Sequence, residues 1–225
     1  MDILKLYDNL TIRSLIQLIP TFGGIVDLNA MNQIEAAKKK RLKIFFDKIG
    51  SSEIKLTDEL IQNESYLFNY VNTVKAVVNT RRIEKITFFS NLFIYGTNNY
   101  KIFETDEYDE FLKIIDELSL TEIELLFEFK KLEDEQPIND GKNTRYDKLR
   151  RNIEFFSSFG TKFTEKCNFD RYDLDSVFIR IERTGCFYIP RKAYNDYQPN
   201  SGCTTHIFDK IYNIILDRKS EKQDQ

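Results

Sequence analysis

The chain's one histidine, His206, follows Cys203 by three residues, with Thr204 and Thr205 between them. A thiol and an imidazole so close in sequence can act as nucleophile and base, the ring taking the proton from sulfur. With Cys167 and Cys186 they could instead ligate a metal. The cysteines are spaced 19 and 17 residues apart, however. A structural zinc site is normally built from two tight ligand pairs, and only one tight pair exists here. The expectation is a first-turn histidine beside ordinary buried thiols. No catalytic residue, no metal ligand and no cofactor-binding residue is assigned.

Other chemistry finds as little support. The phosphate-cradling patterns GxxxxGK[ST] and GxGxxG do not occur, and neither do GxSxG or HExxH. With 36 acidic residues, pairs of carboxylates are inevitable, so their presence does not argue for acid–base catalysis. The reading leans away from an enzyme.

Binding is the better-supported class. The 33 basic residues nearly balance the 36 acids, giving a net charge of −3, unlike a protein made mainly to coat nucleic acid. The charge is uneven along the chain. Glu104 to Glu135 holds 13 acids and three bases, whereas Lys142 to Lys166 holds seven bases and three acids. Lys38, Lys39, Lys40 and Arg41 form a second basic cluster. Such runs usually face water. The sharper reading docks the acidic middle, with Glu107 and Glu110 as its candidate contacts, on a basic partner surface or on the basic 142–151 stretch of a second copy. A second candidate contact is the corner Pro20, Phe22, Gly23 and Gly24 within the apolar segment Leu15–Val26. Its plainer reading is a buried helix–turn–helix corner. An exposed corner would insert shallowly into a partner groove or a membrane surface, with Lys38–Arg41 meeting anionic headgroups.

The elements that position these residues are helices. Pro20 and Pro137 bracket 116 residues without proline, and within them glycine stands only at 23, 24, 50 and 96. Apolar residues recur at steps of three and four: Leu67, Val71, Val74 and Val78; Ile83, Ile86, Phe89 and Phe93; Tyr108, Phe111, Leu112, Ile115 and Leu118; Leu149, Ile153, Phe156, Phe159 and Phe163; Leu174, Val177, Phe178 and Ile181. Each set lays a stripe on one helical face. The spacing predicts helices near 3–19, 25–49, 58–78, 81–95, 106–118, 122–135, 144–166, 173–184 and 205–217. Gly50, Gly96 and Gly185 read as left-handed stops. Thr121 with Glu124 reads as a capping box, and Thr57, Thr80, Thr105 and Thr205 as further caps. Strand signal is confined to Cys186–Ile189, stopped by Pro190, with Cys203 and Thr204 able to pair back.

The expected fold is mainly α. A helical bundle over 1–135 precedes a small winged-helix-like unit over 144–217 with a short β-hairpin, then a charged tail over 218–225. A winged helix suggests DNA, contacted by Arg180, Arg183, Arg191 and Lys192. Its recognition helix, Asp173–Thr184, carries three acids against two arginines. Phosphate neutralisation normally demands a basic surplus there, so nucleic acid is the disfavoured alternative. The longest uncharged runs, Ser14–Val26 and Ile86–Tyr100, are 13 and 15 residues. A spanning helix needs about 20. With no basic leader and an odd number of cysteines, the chain reads as cytoplasmic.

Two stretches carry a family likeness: Leu18-Ile19-Pro20-Thr21-Phe22-Gly23-Gly24-Ile25-Val26-Asp27 leading into Arg41-Leu42-Lys43-Ile44-Phe45-Phe46, and Thr80-Arg81-Arg82-Ile83-Glu84-Lys85-Ile86. They resemble small helical bacterial proteins of unknown function found in anti-phage and abortive-infection settings. In these a winged-helix-like end with a Thr-led final helix, like Thr204-Thr205-His206-Ile207-Phe208 here, is also common. The resemblance implies a defence context and supplies no catalytic residues. The resulting expectation is a non-enzymatic interaction or regulatory protein that takes no cofactor. It would present helical faces to a protein partner or to a second copy of itself. The alternatives are a winged-helix nucleic-acid regulator and a membrane-acting effector.

Overall fold

The computed structural model describes residues 28–52, 54, 60, 62–135, 145–167, 171–190 and 202–216. Among these residues the apolar stripes become eight α-helices. The first three are α1 (Leu28–Gly50), α2 (Glu64–Asn79) and α3 (Ile83–Asn98). A 3₁₀ turn, Tyr100–Glu104, leads into α4 (Glu107–Glu117) and α5 (Leu120–Glu135). Then come α6 (Arg145–Cys167), α7 (Arg171–Arg183), strands β1 (Phe187–Tyr188) and β2 (Cys203–Thr204), and α8 (His206–Ile215). The strands pair antiparallel, Phe187 opposite Thr204 and Tyr188 opposite Cys203, as the sequence predicts. The helix expected over 3–19 lies outside the described residues.

The chain divides into two compact units. One takes in the described residues up to Asp116 and those from Ile214; the other is Glu117–Asn213. The division falls ahead of α5 rather than in the Pro137–Gly141 stretch, because α5 supplies the centre of the second unit's core. The Phe129 ring lies 5.6 and 5.1 Å from Phe156 and Phe159, 6.0 Å from Phe178 and 5.1 Å from Phe187. Such tilted and edge-on pairs add about 0.5–1.5 kcal/mol each beyond burial.

In the first unit α1, α2 and α3 pack on one another and the 3₁₀ turn packs on α2 and α3. Phe93 sits among Phe45, Tyr66 and Tyr70 at 5.9, 5.7 and 5.7 Å. The Phe103 ring approaches Tyr66 at 5.4 Å and Tyr108 at 4.7 Å. Burial pushes the Tyr66 phenol up to about 12, even though a Thr97 hydrogen bond pulls the other way. Tyr70 and Tyr108 are pushed further in the same direction by burial. Thr73 Oγ1 donates to the Asn69 carbonyl at 2.8 Å, which leaves the Tyr108 hydroxyl to donate to Thr73 at 2.6 Å.

Two local expectations need correction. Gly96 does not stop α3, which runs on to Asn98. It is there for space: an added Cβ would stand 2.5 Å from Phe103 Cζ and 3.0 Å from Tyr108 Cε2. The box at the start of α5 is Ser119 with Glu122, not Thr121 with Glu124. The Ser119 amide donates to Glu122 Oε2 at 2.8 Å and the Glu122 amide to Ser119 Oγ at 3.2 Å. The helix opens two residues earlier than expected because this reciprocal pair satisfies two otherwise orphaned donors. Helix α2 is capped by Asn63, whose Oδ1 accepts from the Tyr66 amide at 2.8 Å; the cap expected at Thr57 lies outside the described residues. Gly185 does take the left-handed conformation, with φ of 76°. Thr205 caps α8, accepting the Phe208 amide at 3.3 Å while donating to the Gly185 carbonyl at 2.6 Å.

Candidate functional site

Helix α2 has more apolar surface than its core can take. Five of the six residues from Tyr66 to Val71 are apolar or aromatic. The face that turns inward carries Tyr66, Asn69, Tyr70, Thr73, Val74 and Val77. The expected stripe of Leu67, Val71, Val74 and Val78 is therefore buried only in its second half. Leu67 is 43% exposed and its neighbour Phe68 58%. The two tyrosines, four residues apart, rotate the helix so that their rings fill the aromatic core. Fully burying a Leu or Phe is worth about 1.5–3 kcal/mol, a gain that these two side chains leave largely unrealised within their own chain.

They border a groove of about 590 Å³, within the size range of ligand sites. One wall is α2; the other is Phe103 and Glu104 of the 3₁₀ turn with Thr105, Asp106 and Asp109 at the start of α4. Asn69, only 3% exposed, joins the walls by donating Nδ2 to the Phe103 carbonyl at 3.3 Å. Its Oδ1 has no partner among the described residues. The opposite wall is held by Thr105, whose Oγ1 donates to the Ile102 carbonyl at 2.9 Å. Val71 and Asn72 continue the α2 wall.

The rim is acidic. Glu64, Glu104, Asp106 and Asp109 line the groove against a single base, Lys75. None of these five side chains has an ion-pair partner among the described residues. Glu64, Asp106 and Asp109 lie in or beside first turns, where a carboxylate complements the helix dipole. That accounts for their tolerance there but not for their gathering around exposed Leu67 and Phe68. The arrangement can receive a segment that is apolar on one side and cationic at its edges.

The expected contacts sit close by, but not on the groove. Glu107 and Glu110 are on α4, half-buried and exposed respectively, and it is their neighbours Asp106 and Asp109 that line it. Pro20, Phe22, Gly23 and Gly24 lie outside the described residues, as do Arg191 and Lys192. Arg183 is exposed at the end of α7. Arg180 is committed within the second unit: its Nε donates to Glu122 Oε1 at 2.8 Å. Burial pushes the Glu122 carboxyl up, but the Ser119 amide, the Arg180 contact and the Ser119 hydroxyl outweigh it and hold it below its ordinary value. His206 is exposed while Cys203 is 1% exposed. Cys186 and Cys203 are both buried free thiols. Among the described residues no three His, Cys, Asp or Glu side chains gather to hold a metal ion, and no helix is long and apolar enough to cross a membrane.

Sequence reasoning also missed a buried polar cluster in the second unit. Glu133 Oε1 accepts from Asn152 Nδ2 at 2.5 Å and from the Thr204 amide at 3.1 Å, and Oε2 accepts from Thr204 Oγ1. Asn152 also donates to the Gly202 carbonyl at 2.8 Å. All three side chains are at most 2% exposed, and together they pin β2 to α5 and α6. Partners 19 and 71 residues apart leave no local signature.

Comparison with protein-family models, with curated proteins and with solved structures finds no match to this chain.

Proposed function

We propose that this chain is a non-enzymatic interaction protein. Its groove between α2 and the start of α4 takes up a basic, amphipathic helical segment of a protein partner. The observation that carries this reading is the exposure of Leu67 and Phe68, 43% and 58%, inside a rim of four carboxylates with no ion-pair partner among the described residues. Apolar contact supplies affinity, and the acids supply orientation and a salt-dependent encounter rate.

The test uses a designed probe, an amphipathic helix of Leu and Lys about five turns long, with a Leu/Glu helix as control. Titrated onto the full chain by calorimetry, the Leu/Lys helix binds, and Phe68→Ser weakens it at least about tenfold, as expected for a buried aromatic anchor. Asp106→Asn with Asp109→Asn weakens it less and flattens its salt dependence. Equal binding of both helices, or binding indifferent to Phe68→Ser, overturns the reading. The likeness of the segments at 18–27 and 80–86 to anti-phage proteins supports a bacterial defence setting, so any phage protection this gene confers should be lost with Phe68→Ser. Retention on duplex DNA that Arg183→Ala removes would speak for the winged-helix alternative instead. Vesicle leakage abolished by Phe22→Asp would speak for membrane action.

A further inference from the structure

Helix α2 turns a polar edge into the groove. Ser65, Asn69 and Asn72 recur at steps of four and three. With 3.6 residues per turn they fall within about 60° of one another, between exposed Phe68 and the inward face of Tyr66, Tyr70 and Thr73. Ser65 and Asn72 are half-buried, whereas Asn69 is 3% exposed. Its Nδ2 is used in the tie to the Phe103 carbonyl. Its Oδ1 is buried and accepts no hydrogen bond among the described residues. Two other buried side-chain oxygens among the described residues share that condition, but neither bears on the groove. Asp209 Oδ1 faces the Lys130 ammonium at 2.8 Å in the second unit, and the Tyr70 hydroxyl belongs to a ring packed on Phe93.

A buried acceptor without a donor costs a fold about as much as a hydrogen bond is worth. Helix α2 bears that cost where its polar edge meets the groove. Turning the amide over offers no relief, since it would set the oxygen against the Phe103 carbonyl, acceptor against acceptor. The tie itself is long at 3.3 Å, so the walls can part slightly at small loss to admit a donor. That donor must come among Glu64, Glu104, Asp106 and Asp109, which outnumber the one base, Lys75, and so favour a cation. An ammonium meets both demands. Its three N–H bonds diverge, so one can reach a lone amide oxygen while the others meet carboxylates. A guanidinium instead holds its donors in a plane, in a fork matched to paired acceptor oxygens. The methylene stem behind an ammonium also covers apolar surface, which Phe68 supplies.

Resting on the groove reading above, we infer that Asn69 is the specificity-determining residue of the groove: its Oδ1 accepts an N–H from the ammonium of a lysine in the basic partner segment. The groove thus reads the lysine's hydrogen-bond donor and not only its charge. A site with a buried acceptor discriminates against a ligand that cannot donate, because the acceptor then stays unsatisfied in the complex.

The test compares two probes of equal charge on the full chain. One is the Leu/Lys helix. In the other every lysine is trimethylated at Nζ, which keeps the charge and the stem but removes every N–H donor. Calorimetry should show trimethylation weakening binding to wild type about tenfold or more, the worth of a hydrogen bond to a charged group. On Asn69→Ala the Leu/Lys helix should bind about as weakly as its trimethylated form, the two differing by less than about threefold. An Asn69 that only holds the wall together would weaken both helices alike, so the coupling between donor and residue separates recognition from wall-building. Circular dichroism checks that the variant is folded, and Asn69→Leu, close in size, repeats the comparison if Asn69→Ala is not. Trimethylation that costs wild type less than about threefold, or costs wild type and the Asn69 variant equally, overturns the inference. The groove reading then still stands if Phe68→Ser weakens the Leu/Lys helix. A Leu/Lys helix that does not bind wild type removes both.

Discussion

The two units use carboxylates in opposite ways. In the second, Glu133 is enclosed by the Asn152 amide and the Thr204 amide and hydroxyl. Asp209 is held by Lys130 at 2.8 Å and Lys148 at 3.1 Å, and Glu122 by Ser119 and Arg180. In the first, Glu64, Glu104, Asp106 and Asp109 have no cation among the described residues. The same residue types are fasteners in one place and free charge in the other. A buried carboxylate must be hydrogen-bonded or the fold is penalised, whereas an exposed one can wait for a partner at little cost. An acid that the fold does not consume is therefore the better candidate for function.

The sharpest way to test that contrast is to remove one acid of each kind. Glu133→Ala leaves the Asn152 amide and both Thr204 donors short of an acceptor, at a cost of about 3 kcal/mol or more. The drop should show as a lower midpoint in urea, with the hairpin's amide exchange accelerated. Asp106→Asn should move the same midpoint by less than ~0.5 kcal/mol. Equal losses would end the distinction between fastener and free charge.

Next in size is Gly96→Val, which drives a branched side chain into the Phe103 and Tyr108 rings. Overpacking of this kind costs about 1–3 kcal/mol. Because it displaces the turn that forms the groove wall, binding of the Leu/Lys helix should fall along with the thermal midpoint. Phe68→Ser, in contrast, should reduce binding with no measurable loss of stability.

A last contrast separates the units by pH. The Tyr66 phenol, neutral in the fold up to about 12, ionises near its ordinary value of 10.0 when unfolded. Its contribution is complete below about pH 10 and is lost as pH rises toward about 12, at about 1.4 kcal/mol per unit. In the second unit burial pushes Asp209 up, but Lys130 and Lys148 hold it below its ordinary 3.8. That stabilisation is present above 3.8 and is lost as pH falls through the lowered value. Amide exchange resolved by residue should show the first unit loosening first in alkali. Asp209→Asn should remove part of the second unit's acid sensitivity.

The helices and the hairpin can be read from the sequence because their causes are local. Apolar steps of three and four lie within one turn, and Cys186–Ile189 before Pro190 is a short-range strand signal. Misreadings arise where a long-range neighbour decides the outcome. Gly96 looks like a stop until Phe103 is known to occupy its side-chain space. Leu67 looks like core until Tyr66 and Tyr70 are found to turn α2 toward Phe93. Within the acidic stretch, sequence alone points to Glu107 and Glu110, where the folded turn presents Glu104, Asp106 and Asp109.

Composition and spacing by themselves determined that the described residues fold as helices with one small hairpin. Backbone hydrogen bonds and amphipathic faces depend on residues only a few positions apart. Only tertiary packing decided which apolar face was left over and which acids went unpaired. Those outcomes depend on competition among side chains tens of residues apart for a limited interior, in which the aromatic rings of α2 took the place that Leu67 and Phe68 would otherwise have filled.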